Sequence, residues 1–325
     1  MRWMKRATFA LLLLAGSASA QPAWKPERNV EIISGTAAGG AVDRANRTVQ
    51  KIWQDKKILD ATSTVVNKPG GGNTIAWNYI NQHAGDGHYV SIAPYTILTN
   101  KIIGMSPLSY VDFTPIALLF DEFITVSVRA DSPIKNAQDL VEHLRKDPSS
   151  LSIAVASALG NHIHIGIAKP LKTAGVDIKK LKVVAFKSSG ESVTALLGGH
   201  IDVVSSTTPN VLGQLQAGKI RVIAITSAKR LSGPLAGVPT WKEQSVNIEF
   251  NASQGAIGPK GLPALQLAFW ENAFLRLSQS EEWKKELDTN HWQGNYRNSR
   301  DTARYYESEY AEMKAVLGEL GLARQ

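Results

Sequence analysis

Short apolar runs alternate along this chain with longer stretches in which apolar residues recur every three or four positions, the pattern of strands followed by helices. Val30-Glu31-Ile32-Ile33 is the first such run. A loop rich in Gly, Thr and Ala follows it, and helical spacing begins at Asp43 and carries through Val49, Ile52 and Trp53. The second unit has a strand at Thr64-Val65-Val66, a loop from Asn67 to Asn73 and a helix from Thr74. In the third, Tyr89 to Ala93 leads into Pro94-Tyr95-Thr96 and a further helix. Phe123 to Val128 reads as a strand, and Asp131-Ser132-Pro133 with Asn136 opens a helix containing Leu140, Val141 and Leu144. The alternation then resumes, with strands at Leu151 to Val155, Lys182 to Phe186, Asp202 to Val204 and Arg221 to Thr226. Phe250 to Ile257 reads as a returning strand, and from Pro263 onward the chain is mostly helical.

Strands alternating with helices predict an α/β fold with largely parallel sheets. No short-period repeat and no low-complexity linker interrupts the pattern. Two lobes joined by crossing strands are therefore expected: residues 21–125 with 251–325 in the first, and 126–250 in the second. Trp53, Trp77, Trp241 and Trp270 are expected in core or interlobe packing, and the charged run from Arg300 to Lys314 on a solvated helical face.

The first twenty residues follow a different rule. Arg2, Lys5 and Arg6 precede an apolar stretch from Ala7 to Ala15, and Gly16-Ser17-Ala18-Ser19-Ala20 ends in small residues at alternate positions. That order is the signature of a cleavable export signal, residues 1–20, with cleavage before Gln21. The stretch is too short to span a bilayer, which takes about 20 apolar residues. With no cysteine at the cleavage site, attachment through a lipidated Cys is excluded, and the protein is expected free in the periplasm. The chain has no Cys at all, although the compartment permits disulfides. Its net charge of +8 falls by three to +5 once the signal is removed, a mild bias toward anions. The basic residues are scattered rather than clustered, which is not a nucleic-acid pattern.

In open α/β sheets, ligands sit where strands end and helices begin, and helix N-termini offer unpaired N–H groups and partial positive charge. Loops rich in Gly, Ser, Thr and Asn stand at such places in both halves. In the first half these are Thr36 to Gly40 and Gly70 to Asn73. In the second they are Ser157 to Asn161, Ser188 to Gly190 and Ser205 to Thr208.

The sequence resembles the tripartite tricarboxylate transporter receptors, also called Bug receptors. Pro26 to Gly40 with Asp43 and Arg47 carries the resemblance, as do Val66 to Asn73, Asp86-Gly87-His88-Tyr89 and Phe113 to Ala117. It continues through Leu196 to Asp202, Ala217 to Arg221, Thr226 to Arg230 and Val238-Pro239-Thr240, in the family's order over nearly all of the chain. The resemblance implies a two-lobed class II periplasmic binding fold, a small organic carboxylate closed between the lobes, and a membrane transporter as docking partner. By position it implies first-lobe contacts from Thr36, Ala37, Ala38, Gly39 and Gly40, with Asn73 and Tyr95 near the cleft. In the second lobe it implies Ser157, Gly160, Asn161, His164, Lys187, Ser188, Ser189, Ser206 and Thr207. The chain departs from the family pattern at Gly35 to Gly40, at Pro94-Tyr95 and at Phe186 to Ser189, so ligand identity is the least transferable property.

Asp43 falls in a first helical turn, where a carboxylate suits the helix N-terminus and can brace the Gly39-Gly40 loop; a carboxylate is a poor contact for a bound carboxylate. His162 and His164, two apart on a helix, point in different directions and do not make a metal pair. No metal and no cofactor is expected. The chain has no G-x-S-x-G elbow, no P-loop lysine, no Rossmann G-x-G-x-x-G spacing and no Cys nucleophile, so it is not expected to be an enzyme. The expected function is a receptor that delivers its carboxylate to the transporter, as a monomer. A sensing module presenting the same ligand to a sensor kinase is the alternative. Dicarboxylates, tricarboxylates, amino acids and aromatic acids all suit a pocket of amides and hydroxyls; Tyr95 and Lys187 favour a bulkier or doubly charged acid.

Overall fold

The computed structural model describes residues 24–39 and 41–324; the expected export signal lies outside the described residues, as does Gly40. No helix among the described residues is long and apolar enough to cross a membrane. The first segment builds β1 (Val30–Ser34), α1 (Ala41–Asp55), β2 (Ser63–Asn67), α2 (Thr74–Asn81) and β3 (Tyr89–Ala93). β1 lies between β2 and β3 and is parallel to both. α1 covers one face of this sheet because Ala45, Val49, Ile52 and Trp53 recur at helical spacing on one side and are buried.

The strand β4 (Phe113–Glu122) then runs straight out of the first sheet, and β5 (Ile124–Arg129) enters the second. A single buried residue, Phe123, separates them. The second sheet is completed by β6 (Ser152–Ala156), β7 (Lys182–Phe186), β8 (Val203–Thr207) and β9 (Ile220–Ile225). Its helices are α3 (Ala137–Lys146), α4 (His162–Thr173), α5 (Ser189–Leu197) and α6 (Leu212–Gln216). The chain returns through residues 226–251 to β10 (Ala252–Pro259) and continues as α7 (Ala264–Gln279), α8 (Glu281–Asn290), β11 (Gln293–Arg297) and α9 (Ser299–Glu319).

The result is a six-stranded sheet in the order β11-β4-β10-β3-β1-β2 and a five-stranded sheet in the order β7-β6-β8-β5-β9, each flanked by helices. The two-sheet α/β class expected from the sequence is present, with one difference in strand direction. Both sheets are mixed: β10 is antiparallel to β3 and β4, β11 to β4, and β5 to β8 and β9. The cause lies in the crossings. β4 leads into β5 and β9 returns to β10, so the outgoing and incoming strands pair antiparallel in both sheets, from Pro259 opposite Phe113 to Thr125 opposite Ile225.

Two expected elements differ. After Pro94 there is one tight 3-10 turn at Tyr95–Ile97 and further turns, not a helix. The C-terminal helical region is broken by β11, a largely exposed edge strand. The four tryptophans assigned to packing are all fully buried. One core cluster joins the two sheets: Ile33, Leu118 and Ile257 of the first pack with Ile124 and Val155 of the second, with Ile163 of α4, and with Val316 and Leu317 of α9.

Candidate functional site

The loop after β1 and the loop before α2 come together in the first sheet. Gly35 stands so close to Asn73 that a Cβ added there would lie 2.1 Å from the Asn73 Oδ1, so glycine is required where the loop after β1 meets the loop before α2. Asp43, in the first turn of α1 and 1% exposed, accepts from the Gly39 amide at 2.8 Å, from Asn67 Nδ2 at 2.7 Å and from Arg47 Nε at 2.9 Å. Burial alone would raise this carboxyl; the donors from Arg47, Asn67 and Gly39 outweigh it and hold the group below the usual carboxylate range. Asp43 thus braces the loop. Thr36 Oγ1 accepts from the Asp43 amide at 3.2 Å, and Thr36 O from Asn67 Nδ2 at 2.9 Å. Ala37, Ala38 and Gly39 are left exposed at its tip. Asn73 adopts a left-handed conformation and donates to Thr96 Oγ1 at 3.3 Å.

In the second sheet, Asn161 caps α4. Its Oδ1 accepts from the amides of Ile163 and His164, both at 3.1 Å, and its Nδ2 donates to Ala156 O at 2.8 Å, which ties the helix to the strand before it. His164 is buried and accepts at Nδ1 from the Gly160 amide at 3.0 Å; burial pushes its ring down to about 4, so it stays neutral. Ser157 is exposed, whereas Gly160 is buried against Ile103 and Leu317. Ser206 and Thr207 end β8 beside β5 and are buried. Lys187 and Ser188 lie exposed after the edge strand β7, with Ser189 half-buried; Ser188 caps α5 through the Glu191 amide. Tyr95 is not at a surface. It is 1% exposed, its hydroxyl donates to Glu309 of α9, and its ring packs edge-on against His162 and Phe250.

Between the sheets lies a cavity of about 200 Å³. Val42 and Ala45 of α1, Ile92 and Pro94 at the end of β3, and Phe120 and Glu122 at the end of β4 form its first-sheet side, with Gln254 and Trp292. His162 and Ile163 of α4 and Thr207 of β8 form the other. Of the residues named from the sequence, Thr207 alone lines it. Asn161, Tyr95 and the Thr36–Gly39 loop each stand next to the lining, one to three residues along the chain.

Four of the lining residues were not legible as a site. Glu122 has each carboxylate oxygen on one donor: Trp292 Nε1 to Oε1 at 3.0 Å and Gln254 Nε2 to Oε2 at 2.8 Å. The Trp292 ring is held by stacking on Phe120, centroids 4.2 Å apart. His162 Nε2 stands 3.9 Å from Glu122 Oε2, beyond hydrogen-bond reach, and His162 Nδ1 is buried with no partner. Burial pushes the Glu122 carboxyl up to about 7 and the His162 ring down to about 4. The available signal in the sequence is Asp121-Glu122, two acids inside an apolar run from Ile116 to Val128.

The model of the family described as tripartite tricarboxylate transporter family receptor matches residues 47–322. A Cupriavidus necator relative, described as UPF0065 protein in gbd 5'region, is 28% identical over 321 residues, covering 98% of this chain and 95% of that relative. An R. palustris protein solved with adipate superposes with a TM-score of 0.76 at 26% identity, over 92% of this chain and 99% of that chain. MatC from Rhodopseudomonas palustris, solved with bound malate, has a TM-score of 0.71 at 23% identity over 90% and 99%, a likeness of fold.

Proposed function

The chain belongs to the tripartite tricarboxylate transporter receptors, a family of periplasmic solute-binding proteins, and from that premise we propose that it captures a small organic carboxylate between its two sheets and delivers it to the membrane subunits of a tripartite transporter. The observation that carries this reading is the cavity between the sheets, lined from strand ends and from the first turns of α1 and α4. The partial positive charge of a helix N-terminus suits an anion without requiring a cationic side chain. Solved relatives with adipate and malate support a carboxylate as the ligand class.

In this reading the lobes are residues 21–125 with 251–325, and 126–250. The Thr36–Gly40 loop and Asn73 hold the carboxylate from one side. Ser157, Gly160 and Asn161, with Ser206 and Thr207, hold it from the other, and Lys187 to Ser189 close over the rim. His164 and Tyr95 act from behind, by fixing Gly160 and the His162 ring. The protein releases its ligand unchanged and works as a periplasmic monomer, exported by residues 1–20.

The test is thermal unfolding of residues 21–325 against a panel of organic acids, each paired with its amide. A ligand that binds only the folded state at a hundredfold excess over its dissociation constant stabilises by about 2.7 kcal/mol. A shift with an acid and none with its amide is expected. Shifts confined to sugars, cations or nucleotides would sink the proposal.

A further inference from the structure

Glu122 is a carboxylate in an apolar chamber, and its partners leave its charge unbalanced. Val42, Ala45, Ile92, Pro94, Phe120 and Ile163 make most of the lining. Its two donors, Trp292 and Gln254, are neutral. Among the described residues, His162 is the sole basic group within 4.0 Å, and its ring is neutral down to about pH 4. Asp121, next along the strand, is turned to Asn251, Ser253 and Asn295, and as an acid it supplies no counter-charge to Glu122. Bonds from Trp292 and Gln254 also fix the carboxylate in place, so it cannot swing out to water.

We propose that this chamber takes the ammonium end of an amphoteric acid: a ligand whose carboxylate is held at the loops and whose amine, several apolar carbons away, pairs with Glu122. The proposal rests on the receptor reading above and narrows its ligand class. Three features favour an amine over a second carboxylate. Two carboxylates in one low-dielectric site repel, and one of them must take up a proton. A buried charge without a counter-ion is costly, and an ammonium relieves that cost by pairing. An ammonium also has more than one N–H to give, so it can bond Glu122 Oε2 and turn a second donor to the Thr207 hydroxyl. The apolar walls account for the spacer, and a volume of about 200 Å³ admits a six-carbon chain or one ring.

The experiment uses two matched sets of probes on the mature protein, with calorimetry reading the dissociation constants. The linear set is 6-aminohexanoate, hexanoate and adipate. The ring set is 4-(aminomethyl)benzoate, 4-methylbenzoate and terephthalate. In at least one set the amino acid is expected to bind about tenfold tighter than the apolar acid and tighter still than the diacid. Glu122→Gln should remove that preference, weakening the amino acid about tenfold or more while leaving the apolar acid within about threefold. Below pH 7, capture of the ammonium should release a proton from Glu122, seen as a binding heat that depends on the buffer, and the release should vanish by pH 8. This readout needs no variant to fold. A diacid that outbinds its amino partner in both sets overturns the inference and leaves the receptor reading standing. Failure of all six probes also overturns it, and failure of the wider acid panel as well would remove the receptor reading with it.

Discussion

Glu122 also leaves a mark on stability that can be read without ligand. Its carboxyl titrates near 7 in the folded protein, against 4.5 for an unperturbed glutamate. The folded state therefore holds this proton more tightly than the unfolded state does. Stability from this group is greatest below pH 4.5, falls as pH rises toward 7, and is level above it, a loss on the order of 3 kcal/mol. His162 and His164 work in the opposite sense. Burial holds both near 4, so the unfolded chain binds more protons between about 4 and 6.5, and their contribution rises with pH over that window. The two trends mask each other in the wild type. Glu122→Gln separates them: its melting temperature should start below wild type at pH 4.5, because the amide leaves one of the Trp292 and Gln254 donors without an acceptor, and should climb steadily relative to wild type up to pH 7. A difference that stays constant with pH would show that Glu122 titrates normally. Asp43 gives a second prediction at this scale. An asparagine there offers one acceptor oxygen where three donors converge and turns its own N–H toward one of them from a buried position, at about 1–3 kcal/mol. Urea unfolding of Asp43→Asn should show that loss, and acid binding should weaken with it because the Thr36–Gly39 loop has lost its brace.

At the scale of elements, α4 is where sequence rules and packing disagree. Glycine inside a helix is worse than alanine by about 0.5–1 kcal/mol, so Gly166→Ala looks favourable from the sequence. In the folded protein a Cβ at Gly166 would lie 2.4 Å from Ile124 Cγ1 and 2.7 Å from its Cβ, on a β-branched side chain with little freedom to move. Overpacking of this kind costs about 1–3 kcal/mol and wins. Gly166→Ala should therefore lower the denaturation midpoint, whereas Gly190→Ala in α5, whose nearest neighbour is 3.9 Å away, should leave it level or raise it. The same contrast explains what the sequence could show. β7 stands at Lys182–Phe186 as its pattern predicts, and the strand–loop–helix units around Ser34–Ala41 and Asn67–Thr74 were legible because turn chemistry and helix periodicity are local. The helix expected after Pro94 is missing because Tyr95 and Ile97 to Asn100 are all buried, so this segment is a packed core turn with no polar face to offer. β11 is polar and exposed, with no alternation to find. Glu122, His162, Gln254 and Trp292 lie on four separate segments and meet only through the crossing strands, which no local pattern encodes. The strand–helix loops could be located from sequence, but the chamber between the sheets could not.

The whole molecule has two sheets and yet no clean division between them. Two-lobed receptors must open to admit a ligand, which favours a small interface between lobes; domains in one chain are by default mobile against each other. Here the crossing at Phe123 is one buried residue long, and the antiparallel pairing on either side of it runs from one sheet into the other. Behind the crossing, Ile124, Val155 and Ile163 share one apolar cluster with Ile33, Leu118 and Leu317. Lys169 of α4 adds a tie, pairing with Glu312 of α9 at 2.5 Å while its ammonium sits 5.1 Å from the centre of the Phe250 ring. For the receptor proposed above, opening is then expected as a rotation about this shared back, with the cavity side parting and the cluster staying intact. A core common to both sheets also couples their unfolding, since exposing one half strips apolar cover from the other. Scanning calorimetry of the ligand-free mature protein should give one transition whose calorimetric and van't Hoff enthalpies agree. Two resolved transitions would mean that each sheet keeps its own core, and a hinge of two crossing strands would then be all that joins them.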